Sequence, residues 1–260
     1  MKLKSIGFIG CGRITRIILS AWNNKGIELS SVIVCDPDKA LLMQLKRQFP
    51  KINITDSQLL SAGQEFVFLA LHPPAIPDVL ENLKMNVSAK TTIISLAPKI
   101  TIENIASVLS QVKSIVRLIP NATSIINQGY NPISFAKDES EKTKKEILRI
   151  FHPLGHIFEV EQSDLERYAV LSAMLPTYFW FQIKELVNIG CQIGLANDES
   201  RKTVKESLLS AINTYFDSGL SPDEVIDLIP VKPLGEFEPE ITKAYYEKLI
   251  ALYEKIKSIK

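Results

Sequence analysis

The stretch Ile6–Gly7–Phe8–Ile9–Gly10–Cys11–Gly12–Arg13–Ile14–Thr15 restricts what this chain can fold into more than any other. An apolar run beginning at Leu3 enters two glycines spaced one apart. Ile14, Ile17, Ile18, Ala21 and Trp22 then fall on one face at the 3.6-residue period of a helix. A strand, a tight turn and a helix start make the phosphate-binding corner of a dinucleotide fold. Gly10 permits the turn. Gly12 lets the backbone approach a pyrophosphate, which sits where free N–H groups and the helix dipole favour an anion. Thr15 stands at the third position of G-x-G-x-x-G, where glycine serves close helix–strand packing, so looser packing is expected there. An acidic residue is expected about 20 positions on, closing the second strand. Ser31–Val32–Ile33–Val34–Cys35 reads as that strand, and Asp36 ends it.

The pattern continues. Pro37–Asp38–Lys39 turns into a helix over Ala40–Gln48, and Ile52–Asn53–Ile54 is a short strand. Phe66–Leu71 is a continuous apolar run, as a strand buried on both faces of a parallel sheet requires. His72–Pro73–Pro74 stops it, and a helix runs to about Leu83. Thr91–Ser95 and Ser114–Leu118 are further strands. Between them Thr101 is an N-cap, with Asn104 at the third helical position of a helix to Leu109. Asn131–Phe135 and His156–Val160 are strands around a charged helix, Ser140–Phe151, whose Lys and Glu residues read as a solvated face.

Strands alternating with helices predict a doubly wound parallel sheet of the Rossmann type over residues 1–160. Ligands of such sheets bind at the carboxyl ends of the strands. Those ends are Gly10–Gly12, Asp36, Ala70–His72, Ser95–Ala97 and Pro120–Asn121, and all five are expected to line one crevice. From Ser163 the pattern turns helical: Asp164–Ala173, Pro176–Gly194, Asp198–Asp217, Pro222–Leu228 and Pro239–Ser258. Residues 161–260 are therefore expected to form an all-helical domain. Its Pro176–Gly194 helix is apolar over most of its circumference near its start, so it is expected to be buried in a core or between subunits.

Composition narrows the function class. Lys plus Arg number 30 against 29 Asp plus Glu, which argues against a nucleic-acid or anionic-membrane surface. No apolar run approaches the roughly 18 residues of a membrane helix, and the N-terminus shows no signal-peptide pattern. Cys11, Cys35 and Cys191 have neither paired nor metal-binding spacing. With only His72, His152 and His156 beside them, reduced thiols, a cytoplasmic location and no metal site are expected.

The same residues resemble the pyrroline-5-carboxylate reductase family, which closes proline synthesis. Gly7–Phe8–Ile9–Gly10–Cys11–Gly12 is similar to that family's opening, and Leu69–Ala70–Leu71–His72–Pro73 to its "AVKP" strand end. Ser95–Leu96–Ala97 resembles its "SIAAG", and Arg117–Leu118–Ile119–Pro120–Asn121 its "RxMPN". Val160–Glu161 and Ser172–Ala173–Met174–Leu175–Pro176–Thr177–Tyr178 lie where it has "V-x-E" and "SGSGPAY". The resemblance implies a Rossmann domain, a helical dimerisation domain, and hydride transfer from NAD(P)H to a cyclic imine. Departures fall on the substrate side: the family's "SPGGTT" loop is Lys232–Pro233–Leu234–Gly235–Glu236–Phe237, without both threonines and one glycine. Lys184 and Asn188, one turn apart where the family is usually acidic, resemble the Lys and Asn of the related β-hydroxyacid dehydrogenases. There the Lys is general acid/base, so Lys184 and Asn188 are the catalytic candidates, against a solvated helix edge.

The cofactor-site candidates are Gly10, Cys11, Gly12, Arg13, Ile14, Asp36, Ala70, Leu71, His72, Pro73, Ser95, Ala97, Pro120 and Asn121. His72 either touches the cofactor or caps a loop. Asp36 binds ribose hydroxyls, caps the next helix, or does both, and it favours NAD over NADP. Asn121 lies near the nicotinamide by resemblance, or is a turn residue after Pro120. Cys11 is read as a small packing residue. The expected partners are a small-molecule substrate and a second copy of the chain. The competing class is a non-catalytic nucleotide-binding regulator that kept the crevice and lost the substrate loop.

Overall fold

The computed structural model describes residues 4–257. Leu3 and Ser258, expected at the start of the first strand and the end of the last helix, lie outside the described residues. The chain divides into two compact units. One runs to Met174 and takes up the chain again from Leu252; the other is Leu175–Ala251.

The first unit is built on one eight-stranded sheet: β1 Ile6–Ile9, β2 Val32–Cys35, β3 Asn53–Thr55, β4 Phe66–Leu69, β5 Thr92–Ser95, β6 Ser114–Leu118, β7 Gly129–Phe135 and β8 Gly155–Glu159. Its order is β3-β2-β1-β4-β5-β6-β7-β8. The connections carry α1 Arg13–Asn24, α2 Lys39–Gln48, α3 Gln58–Ala62, α4 Ile76–Leu83, α5 Ile102–Val108 and α6 Glu141–Phe151, and α7 Leu165–Tyr168 follows β8. After β3 the chain returns to place β4 on the other side of β1. The crevice of a doubly wound sheet opens at that reversal.

Each layer follows from its residues. All four residues of β1 and of β4 are buried, as strands covered on both faces must be. One face packs Phe8, Phe68, Trp22 and Phe151 together, the Phe8 and Phe68 rings stacking at 4.4 Å. Trp22, fully buried, donates its indole N–H to the Ile150 carbonyl at 2.8 Å, so its polar edge is satisfied inside the core. The other face is aliphatic, with Ile9, Val67, Leu69, Ile93 and Ile115 under α4 and α5. Thr101 and Asn104 form a reciprocal capping box at the start of α5.

Three expectations change. The sheet is not wholly parallel: β7 runs antiparallel to β6. Only a short 3-10 turn, Ala122–Ile126, joins them, and a parallel return needs a crossover of a dozen residues or more. Thr15 does not loosen the corner. It is fully buried, and its hydroxyl donates to the Gly10 carbonyl at 2.6 Å, tying helix to turn. The division of the chain falls at Leu175 rather than after residue 160. Residues 162–170 stay with the sheet because Leu165, Glu166 and Ala169 are buried on it, and a π-helical turn, Ala169–Ala173, follows.

The second unit holds α8 Leu175–Gln192, α9 Asn197–Asp217, α10 Pro222–Asp227 and most of α11 Glu238–Ile256. α8 and α9 meet where Gly190 lies against Ser200, whose hydroxyl donates to the Val187 carbonyl at 2.8 Å. A side chain on Gly190 would overlap Ser200. No hydrophobic side chain of Leu175–Ala251 is buried.

Candidate functional site

A cleft of about 860 Å³ opens at the carboxyl ends of β1, β2, β4 and β5. The glycine turn forms its floor. Gly10 has φ +104, and a side chain there would overlap the Ala70 carbonyl, so only glycine fits. Gly12 has φ −68 and ψ −164, a backbone any residue adopts, and nothing lies within 4 Å of where its side chain would stand. That space opens towards the cleft.

Gly12 is also the N-cap of α1, and no side chain caps the helix there. No acidic residue sits in the first turn. The positive end of a twelve-residue helix therefore meets the cleft without a counter-charge from its own first turn. Arg13 and Arg16, both exposed and outside any ion pair among the described residues, add two guanidinium groups to the same wall. The corner is built to hold an anion.

Asp36 stands beside it, half-buried. One carboxylate oxygen accepts the Cys11 N–H at 2.8 Å and the other accepts the Asp38 N–H at 2.9 Å. Two backbone donors thus fix the carboxylate on the cleft, with lone pairs left for a ligand's hydroxyls. Asp38, not Asp36, caps α2, accepting from Ala40 and Leu41. Cys11 is buried, and its thiol is pushed up to about 12, first by burial and then by the Asp36 carboxylate. Cys35 is pushed up to about 11 by burial and by Asp36. Neither thiol is a nucleophile near neutrality.

Gly10, Cys11, Gly12, Arg13, Ile14, Asp36, Ala70, Leu71, His72, Pro73 and Ala97 all line this one cleft. His72 is exposed on it and makes no capping bond to the 3-10 turn it precedes. Ser95, Pro120 and Asn121 do not line it. Ser95 is fully buried within β5. Asn121 is held by its own neighbours: its N–H donates to the Asn131 side chain at 2.7 Å, its amide donates to the Ser172 carbonyl at 2.9 Å, and its side-chain oxygen accepts the Thr123 N–H. These bonds fix it in the turn after Pro120.

Arg16, Leu96 and Pro98 also line the cleft, with Leu41, Gln44, Leu45 and Gln48 of α2. The α2 set was available as a sequence signal, because its i, i+3, i+4, i+7 spacing marks one helix face. Just past Pro98, Lys99 has φ +70, a left-handed backbone costing a non-glycine residue on the order of 1 kcal/mol.

Lys184 and Asn188 lie on α8 in the second unit, both exposed. Asn188 donates to the Glu185 carboxylate at 3.3 Å, not to a partner shared with Lys184. Lys184 makes no hydrogen bond or ion pair among the described residues. Glu236 and Phe237 sit in an exposed 3-10 turn, Gly235–Phe237.

Comparison with known proteins agrees with this geometry. The family described as NADP oxidoreductase, coenzyme F420-dependent, matches residues 5–99. Pyrroline-5-carboxylate reductase of Corynebacterium melassecola is 22% identical over 226 residues, 86% of this chain and 84% of that one. That of Pasteurella multocida is 26% identical over 241 residues, 91% of this chain and 84% of that one. Among solved structures, the Plasmodium falciparum pyrroline carboxylate reductase with NADP bound superposes with a TM-score of 0.80 at 21% identity, covering 99% of this chain and 98% of that one. No helix of the described residues is long and apolar enough to cross a membrane. Over most of its length the chain is similar in sequence to pyrroline-5-carboxylate reductases, and it shares their fold.

Proposed function

We propose that the chain is an NAD(P)-dependent oxidoreductase that reduces pyrroline-5-carboxylate or a close cyclic imine. One observation carries this reading: an uncapped helix N-terminus, a glycine with open space above it and a fixed carboxylate meet in a cleft large enough for a dinucleotide. Bound there, a reduced nicotinamide supplies the hydride. The chain's part is to hold it. Gly10–Gly12 and the first turn of α1 take the pyrophosphate, and Asp36 takes the adenosine ribose. Ala70–Pro73 and Leu96–Pro98, on the far side of the strand reversal, flank the nicotinamide half. Incubation with pyrroline-5-carboxylate and reduced nucleotide is expected to consume the nicotinamide absorbance. Tight nucleotide binding without turnover on a panel of cyclic imines and keto acids would favour the regulatory class instead.

Asp36 sets the expected cofactor preference. Its carboxylate accepts ribose hydroxyls and repels a 2′-phosphate, while Arg13 and Arg16, which line the same cleft, oppose that repulsion. Lys39 does not join them, because it is paired with Asp56 at 3.5 Å. NADH is expected to bind roughly tenfold more tightly than NADPH, about 1.4 kcal/mol. Titration of each nucleotide checks this, and tighter NADPH binding would assign the adenosine end to the two arginines.

We infer that the chain works as a homodimer joined through its helical unit. Phe181, Ile193, Phe216, Ile229 and Val231 are each at least two-thirds exposed, and the unit buries no hydrophobic side chain of its own. Such a surface resembles a domain core cut in half. Sedimentation at micromolar concentration is expected to give a dimer, and Phe181→Glu to shift it towards monomer. A wild-type monomer would discard this assembly. A cytoplasmic location fits the three free cysteines.

A further inference from the structure

The cleft wall after β5 is held from outside the cleft. Leu96, Ala97 and Pro98 form that wall, and Lys99 turns away from it in a left-handed backbone. The Lys99 N–H donates to an Oε1 atom of Glu166 at 3.0 Å. The same oxygen accepts from Arg117 at 2.5 Å, and both side chains of this ion pair are almost wholly buried. Arg117 lies on β6 in register with Ser95, the residue that leads into the wall. A second tie lies one turn earlier: the Gln162 side chain accepts the Ile102 N–H at 2.6 Å, at the start of α5. Residues 162–166 therefore grip both ends of the segment Lys99–Ile102.

A carboxylate buried at an ion pair is a poor way to gain stability, since apolar residues of like volume do as well or better. Here it does something apolar residues cannot. It accepts one particular N–H, in the peptide plane joining Pro98 to Lys99, and with Ile102 tied to Gln162 the left-handed backbone of Lys99 lies between two fixed ends. We propose that Glu166, oriented by Arg117, is a positioning residue for the dinucleotide: it holds Lys99 left-handed and so sets Leu96–Pro98 against the ligand. The inference rests on the reading of the cleft as a dinucleotide site.

Lys99 is exposed, so substitutions there leave the buried pair intact. Lys99→Val opposes a left-handed backbone and Lys99→Gly favours it, while both remove the ammonium. Lys99→Val is expected to weaken NADH binding about tenfold and Lys99→Gly to stay within about twofold of wild type. Hydrogen exchange at Leu96, Ala97 and Lys99 should quicken in the valine variant alone. Glu166→Ala should weaken NADH as the valine variant does, and Lys99→Gly placed in that background should recover part of the loss. Should Glu166→Ala fail to fold, the Lys99 pair decides. Valine and glycine variants that bind alike would overturn the inference; if both are weak, the ammonium itself touches the ligand. A wild-type protein that binds neither NADH nor NADPH would overturn the reading of the cleft instead, and the exchange comparison would still decide whether Glu166 holds the wall.

Discussion

Gly12→Ala should fold as the wild type does and lose dinucleotide affinity by about 10²-fold, roughly 2.8 kcal/mol. The two halves of that expectation have separate causes. The backbone at Gly12 is one that alanine adopts, and beyond its chain neighbours no protein atom lies within 4 Å of the added methyl. Stability is therefore expected to change by no more than about 0.5 kcal/mol, the ordinary range of a surface substitution. The methyl stands where a pyrophosphate must approach the backbone to reach the free N–H groups of α1, so binding bears the cost. Gly10→Ala should behave in the opposite way. Its φ of +104 is unsuited to alanine, and the methyl would overlap the Ala70 carbonyl. A loss of about 3 kcal/mol or more is expected, seen as a lowered Tm before any ligand is added. Thermal unfolding and NADH titration on both variants separate the effects. Wild-type affinity in Gly12→Ala would mean that no pyrophosphate sits on this turn.

That glycine pair was legible in the sequence alone. Phosphate turns, continuous apolar strands and a Thr-x-x-Asn cap are local patterns, and local chemistry decides them: Gly10 needs φ > 0, and β4 needs both faces covered. The cleft followed, because strand ends converge in any doubly wound sheet. Arg117 and Glu166 were out of reach. They lie 49 residues apart, and both are charged types that composition assigns to the surface. The segment 162–170 has helical periodicity whichever unit it packs on, so its pattern could not place the division of the chain. The burial of Leu165 and Ala169 and the tie from Glu166 to Arg117 and Lys99 do so. The surroundings of Asn121 were out of reach for a related reason. Its position at a strand end is what the general rule asks for, but antiparallel β7 turns back over it, and Asn131 and Ser172 take up its hydrogen bonds.

The proposed reduction requires a proton as well as a hydride. Delivery of hydride to an imine carbon leaves a nitrogen that has to be, or become, protonated. The cleft holds few donors. The Cys11 thiol, pushed up to about 12, keeps its proton near neutrality and is buried. A guanidinium does not release its proton in proteins, which sets aside Arg13 and Arg16. His72 is the imidazole on the cleft wall. Lys184 does not line the cleft; on α8 of the second unit it presents an ammonium with no ion-pair partner among the described residues. We propose Lys184 as the donor. Lys184→Met keeps much of the apolar stem and should lower turnover of pyrroline-5-carboxylate by roughly 10²-fold or more, with NADH affinity unchanged. His72→Gln, measured beside it, should cost less in turnover than in NADH affinity. A collapse of turnover in His72→Gln with Lys184→Met unaffected would move the role to the imidazole. Turnover retained in both would mean that the imine arrives already protonated, in which case the chain need only hold it against the nicotinamide.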